Sequence, residues 1–164
     1  MTATRLSRRL FLLTPLALAA CGFTPAYGPG GPAQNIQTSI RVADPSDKNA
    51  FDLVERLEER LGRPNAERFD LTYSIKTTAT GVGITPDNAI TRYNLNGTID
   101  WALLNRATNA RVTGGQVHSF TSYSATGSTV AGLAAQEDAA RRLMRILADQ
   151  ITARLLATSG TWNK

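Results

Sequence analysis

Residues 92–103 read RYNLNGTIDWAL. Tyr93, Leu95, Ile99, Trp101 and Leu103 share one parity, and Arg92, Asn94, Asn96, Thr98 and Asp100 share the other. Successive side chains of an extended strand point to opposite faces, so this alternation demands a strand with one dry side and one wet side. Such a strand cannot bury its apolar row alone. It needs strands beside it and a second layer over one face only.

The neighbouring segments supply both. Phe69, Leu71, Tyr73 and Ile75 alternate with Asp70, Thr72, Ser74 and Lys76, a second half-buried strand. Residues 111–124 form a third, with Gly114-Gly115 marking a bulge or a close backbone approach. A loop is expected over 81–89 and a turn over 105–110. Upstream, Ile36, Ile40 and Val42 predict a short strand over 36–42. Asp44-Pro45-Ser46-Asp47 then offers turn and N-cap residues.

Two segments carry helical spacing. Ala50, Leu53, Val54, Leu57 and Leu61 form one stripe, ended by Gly62 and Pro64. Asp52, Glu55, Glu58 and Glu59 fall mostly off it and, with Arg56 and Arg60, read as a solvated face. A long helix is expected from about 130 to 157, with Leu133, Ala140, Leu143, Met144, Leu147, Ile151 and Leu155 as its apolar stripe. Glu137 with Arg141, and Asp138 with Arg142, are favourable (i, i+4) pairs. Ile146, Ala153 and Leu156 lie off the stripe, as scattered surface apolars or, less simply, as a small docking patch. The order β-α-β-β-β-α predicts an α+β fold. It is a two-layer α/β sandwich with a four-stranded, mostly antiparallel sheet and two helices on one face.

The N-terminus has another character. Arg5, Arg8 and Arg9 precede an apolar run of 11 residues from Leu10 to Ala20, broken by Pro15. A membrane-spanning helix needs about 20 apolar residues, so the run fits a secretory signal instead. Leu18-Ala19-Ala20-Cys21 resembles a bacterial lipobox, in which the cysteine takes a diacylglycerol and becomes the first mature residue. Cys21 is the only cysteine, so no internal disulfide competes for it. An inert thiol in an ordinary signal and a catalytic nucleophile are the other readings. Gly22 follows the cysteine in place of the aspartate that resembles an inner-membrane retention signal, which suggests the outer membrane. Ser7-Arg8-Arg9-Leu10-Phe11-Leu12 resembles a twin-arginine motif, and general and twin-arginine export both fit. The expected division is 1–20 signal peptide, 21–35 lipidated cysteine and Pro/Gly-rich flexible tether, 36–158 folded domain, and 159–164 C-terminal tail.

Charge narrows the function classes. The chain has 18 basic and 13 acidic residues. Three arginines leave with the signal, so the mature excess is +2 rather than +5. No basic block with interleaved aromatics appears, so no nucleic-acid partner is expected. The chain lacks G-x-x-x-x-G-K, G-x-S-x-G and H-E-x-x-H, and has one histidine, His118. Ser119, Ser122 and Ser124 beside it read as polar-face contacts rather than a hydrolase set. The expectation is no enzyme, no metal, and no cofactor beyond the covalent lipid on Cys21.

Cys21-Gly22-Phe23-Thr24-Pro25-Ala26-Tyr27-Gly28, Glu58-Glu59-Arg60-Leu61, Ile90-Thr91-Arg92-Tyr93-Asn94-Leu95 and Ala135-Gln136-Glu137-Asp138-Ala139-Ala140-Arg141-Arg142 follow one another in order. With the lipobox and the length, the chain resembles the LptE family of lipopolysaccharide-assembly lipoproteins, the alphaproteobacterial branch most. The resemblance implies a plug inside an LptD-type outer-membrane β-barrel, lipopolysaccharide as ligand, and a lipid-anchored place on the periplasmic side of the outer membrane. A periplasm-facing auxiliary lipoprotein of another envelope transport system is the alternative. Lys76, Arg92, Arg106 and Arg111, on strand edges and turns, are candidates for the phosphates of lipopolysaccharide, set against ordinary solubilising charge.

Overall fold

The computed structural model describes Gly28, Pro29, Gly31, Ala33 and residues 36–163. The expectations on residues 1–20 and on Cys21 lie outside these. The elements are β1 (Ile40–Val42), α1 (Lys48–Leu61), β2 (Phe69–Ile84), β3 (Ile90–Asn105), β4 (Arg111–Ser124) and α2 (Thr129–Trp162). The sheet order is β1-β2-β3-β4. The β1–β2 pair is parallel, because α1 makes the crossover between them, and the other two pairs are antiparallel. The predicted α+β sandwich with a mostly antiparallel sheet is therefore the observed architecture.

Local chemistry sets the boundaries. The Asp47 carboxylate accepts a hydrogen bond from the Ala50 N–H at 2.9 Å, capping α1. Gly62 ends that helix at φ +78°, where an L side chain would be strained. Ser128 caps α2 by accepting from the Ala131 N–H at 3.3 Å. Leu53, Leu57 and Leu61 of α1 meet Leu143, Leu147, Ile151 and Leu155 of α2 and Leu71, Ile99, Leu103 and Val117 of the sheet in one core. Arg56 ties the two helices, with Nε 3.1 Å from Asp149 Oδ1 and Nη2 3.0 Å from Oδ2.

Several boundaries depart from the sequence expectation. The first strand is only Ile40–Val42, because residues 36–39 form a turn in which Ser39 Oγ donates to the Ile36 carbonyl at 2.8 Å. Ile36 is nonetheless fully buried, and so is Ala33, which the sequence assigns to the tether. The loop expected over 81–89 shrinks to 85–89. Gly81 and Gly83 sit where the β2–β3 register shifts, so the ladder continues to Ile84↔Ile90 with little burial. The bulge in β4 lies at Val112, opposite Leu103 and Leu104, and Gly114 supplies the close approach.

The helix expected to end at 157 runs to Trp162, and residues 159–162 belong to the domain rather than to a tail. The helical stripe simply continues through Leu155, Ser159 and Trp162, all buried. Trp162 stands edge-on to Phe69, with ring centroids 5.1 Å apart. Trp162→Ala is expected to destabilise the domain by about 3 kcal/mol. Denaturant unfolding checks this, and an unchanged midpoint would return 159–164 to the status of a tail.

At the other end of α2, Leu133 is 58% exposed, although it lies on the predicted apolar stripe. It borders an open cleft beside the first turn of α1 instead of the closed core. Off the stripe, Leu156 packs against the core edge, whereas Ile146 and Ala153 are exposed.

Candidate functional site

The two helices cover one face of the sheet, and the other face is open. On that open side β2 presents Asp70, Thr72, Ser74, Lys76, Thr78 and Thr80, and β3 presents Asn94, Asn96, Thr98 and Asp100. Gln116, His118, Phe120, Ser122 and Ser124 of β4 complete it. Their polar groups bond across strands. Gln116 Nε2 donates to Asp100 Oδ1 at 2.8 Å, and Ser122 Oγ to Asn94 Oδ1 at 2.6 Å. Ser124 Oγ lies 2.8 Å from Thr126 Oγ1. Ser122 and Ser124 are thus engaged with residues other than His118.

A shallow groove of about 550 Å³ crosses the face, lined by residues that include Thr72, Ser74, Asp100, Arg111 and Gln116. Gly114 makes room for the Arg111 side chain that lines it. A Cβ there would sit 2.5 Å from Arg111 Nη2 and 2.6 Å from the Trp101 carbonyl oxygen. The missing side chain lets the Arg111 guanidinium lie across the strand. Hydroxyls, an amide, the Asp100 carboxylate and one guanidinium on an open surface are hydrogen-bonding groups for a hydrated polar ligand or a polar wall. Among the described residues no hydroxyl of the groove is hydrogen-bonded to Asp100 or His118.

The structure distributes the four candidate cations along this face. Lys76 pairs with Thr98 at mid-sheet. Six residues along β3 in one direction lies Arg92, and six in the other lies Leu104, the partner of Arg111. At about 3.3 Å per residue, Arg92, Lys76 and Arg111 are spaced about 20 Å apart. Among the described residues none of these three forms an ion pair. Arg106 differs. It lies in the β3–β4 turn and is paired with Glu67, with Asp70 Oδ1 at 3.4 Å. The four therefore do not converge on one point.

The helical layer rearranges the expected charge pattern. Asp138 pairs with Arg142 at 2.9 Å as spaced, but Glu137 turns to Lys48 of α1, also at 2.9 Å. That hydrogen bond holds the Glu137 carboxyl below its ordinary range. Asp149, and then Glu59, raise the Arg56 guanidinium above its own. Asp52, placed by sequence on the solvated face, is 7% exposed, because α2 packs along that flank and brings Arg141 Nε to 4.0 Å. Sequence reasoning also missed Phe120, 60% exposed on the open face, and the apolar tip formed by Val82, Ile84 and Ile90. Val82 and Ile84 lie in the segment taken as loop, and Ile90 follows it directly.

Residues 37–155 match the family model described as LptE: Lipopolysaccharide-assembly. The chain belongs to the LptE family. No curated protein matches it at the sequence level. Among solved structures it is similar to a protein described as a lipoprotein from Caulobacter crescentus, with TM-score 0.65 and 22% identity over 79% of this chain and 98% of that one. Rare lipoprotein B from Shewanella oneidensis gives TM-score 0.57 and 14% identity, over 78% and 99%. A minor lipoprotein from Acinetobacter baumannii gives 0.52 and 18%, over 75% and 92%. At these identities the structural likeness is one of fold.

The LptE domain has two distinct ends. Its described N-terminal residues enter beside the C-terminus of α1, where the Thr38 N–H donates to the Leu61 carbonyl at 2.9 Å. The β2–β3 hairpin tip lies at the far end of 16-residue strands, about 50 Å away. No helix among the described residues is long and apolar enough to cross a membrane.

Proposed function

We propose that this LptE chain is an outer-membrane lipoprotein, anchored through acylated Cys21, that plugs an LptD-type β-barrel and supports insertion of lipopolysaccharide into the outer leaflet. It works by binding and by filling space rather than by catalysis. The observation that carries this reading is the open sheet face, three long strands wide and lined with Thr, Ser, Asn and Gln. The lumen of a wide membrane barrel is polar, and such a face suits it without burying unpaired groups. The position of the chain entry supports the same arrangement. An anchor upstream of Ala33 would hold the α1 C-terminal end near the membrane and direct the hairpin tip away from the attachment point.

On this reading Lys76, Arg92 and Arg111 contact the phosphates of lipopolysaccharide through charge-assisted hydrogen bonds. Arg106 joins them only by leaving Glu67 and Asp70. Reversal of two cations, Arg92→Glu with Arg111→Glu, is expected to weaken lipopolysaccharide binding about tenfold or more, since each charge-assisted bond contributes on the order of 1.5 kcal/mol. Fluorescent lipopolysaccharide titration in detergent checks it. Unchanged affinity would assign these side chains to solubility alone.

A further inference from the structure

A second concavity lies on the helical side, away from the open face. It is a cleft of about 280 Å³ between the first turn of α1 and the N-terminal part of α2, roofing β2 and β3. Leu95, Leu133 and Ala140 supply apolar wall, Thr77 contributes from β2, and Lys48, Asp52 and Glu137 are its charged groups. The Lys48–Glu137 ion pair clasps the two helices there.

Asp52 is the unusual member. Its side chain is 9% exposed, and Oδ2 is sealed from solvent and accepts no hydrogen bond. A buried carboxylate oxygen without a donor is costly. Arg141, at 4.0 Å from Oδ1, is too far to hydrogen-bond. The four charges around the cleft cancel, two acids against two bases. The amides of Asn49 and Gln136 also line the cleft, yet neither donates to Oδ2. A further cation would leave the cleft with excess positive charge, so a neutral donor suits the vacant acceptor. The torsion that orients a carboxylate is soft, so Oδ2 can turn to the cleft.

We infer that this cleft binds an aliphatic chain bearing one neutral hydrogen-bond donor, a hydroxyl or an amide N–H. The chain lies against Leu95, Leu133 and Ala140, and its donor bonds the Asp52 carboxylate. The inference does not depend on the plug reading, because it uses the opposite side of the sheet.

The test is a titration of the ¹⁵N-labelled lipid-free protein with two probes of similar size, 1-hexanol and methyl pentyl ether. They differ in whether they donate. The expected result is saturable shifts at the amides of Asp52, Thr77, Leu95 and Glu137, with the alcohol binding about tenfold tighter than the ether. Asp52→Leu is expected to abolish the preference. Leu133→Ser, at an exposed position that leaves folding intact, is expected to weaken both probes. Equal affinities for the two, or no saturable shifts at these residues, would overturn the proposal and leave Asp52 satisfied by water or by a swing of Lys48.

Discussion

Gly97→Val is expected to lower the stability of the domain by about 3 kcal/mol, the upper part of the usual overpacking range. Gly97 sits on the helix side of β3 in the middle of the sheet. A Cβ there would stand 2.8 Å from Leu143 Cδ2, 3.0 Å from Leu147 Cδ1 and 3.1 Å from Leu143 Cγ. Both leucines are fully buried, so neither has open space to move into. Valine adds two further methyls to that contact and must push α2 off the sheet. Against a typical total of about 5–15 kcal/mol, this is a large fraction. Urea unfolding of the lipid-free domain measures it. Thr98→Val, one residue away on the open face, is the control and should stay within about 0.5 kcal/mol. Equal midpoints for Gly97→Val and the parent would mean that α2 does not sit where the structure puts it.

Cys21→Ser is expected to move nearly all of the protein from the membrane fraction to the soluble fraction. The apolar run before it is too short to span a bilayer, and no helix among the described residues can do so. On the proposed lipoprotein reading, attachment rests on acyl chains. Each buried CH₂ contributes about 0.8 kcal/mol, and stable anchoring takes more than one chain. Phase partition in a cloud-point detergent, with the protein expressed in a host lacking its barrel partner, isolates this term. A serine variant that still partitions with detergent after residues 1–20 have been removed would show that Cys21 carries no lipid.

How legible all this is in the sequence depends on the kind of interaction. Period-two alternation over 92–103 and the aliphatic stripes Leu53, Leu57, Leu61 and Leu143, Leu147, Ile151 report burial directly, and they place the sheet, both helices and the covered face. Where burial fades, the signal fades too. Strand β2 continues through Thr77–Ile84 on ladder hydrogen bonds alone, with glycines at 81 and 83, and such a stretch looks like a loop. Ser159 and Trp162 escape the predicted helix because a Thr-Ser-Gly-Thr run reads as a tail until Phe69 is known to lie beneath the tryptophan.

The candidate site divides the same way. Arg111 reaches the open face only through the bulge at Val112, whereas the polar rows and the positions of Lys76 and Arg92 on them follow from strand parity. Tertiary partners do not. The clasp between Arg106 and Glu67 depends on the β2–β3 register, and the turn of Glu137 from Arg141 to Lys48 and the burial of Asp52 depend on how α2 crosses α1. An acid one step off a leucine stripe is solvated on an isolated helix and buried when a second helix lies along that flank.

Placement of the open polar face inside a barrel is what the proposed function requires. The most direct test is detergent purification of the tagged, full-length protein from outer membranes of its own host. A large β-barrel protein in stoichiometric amount is expected in the eluate. Inner-membrane transporter subunits in its place, with no barrel protein, would contradict it and point to an auxiliary lipoprotein of another envelope transport system.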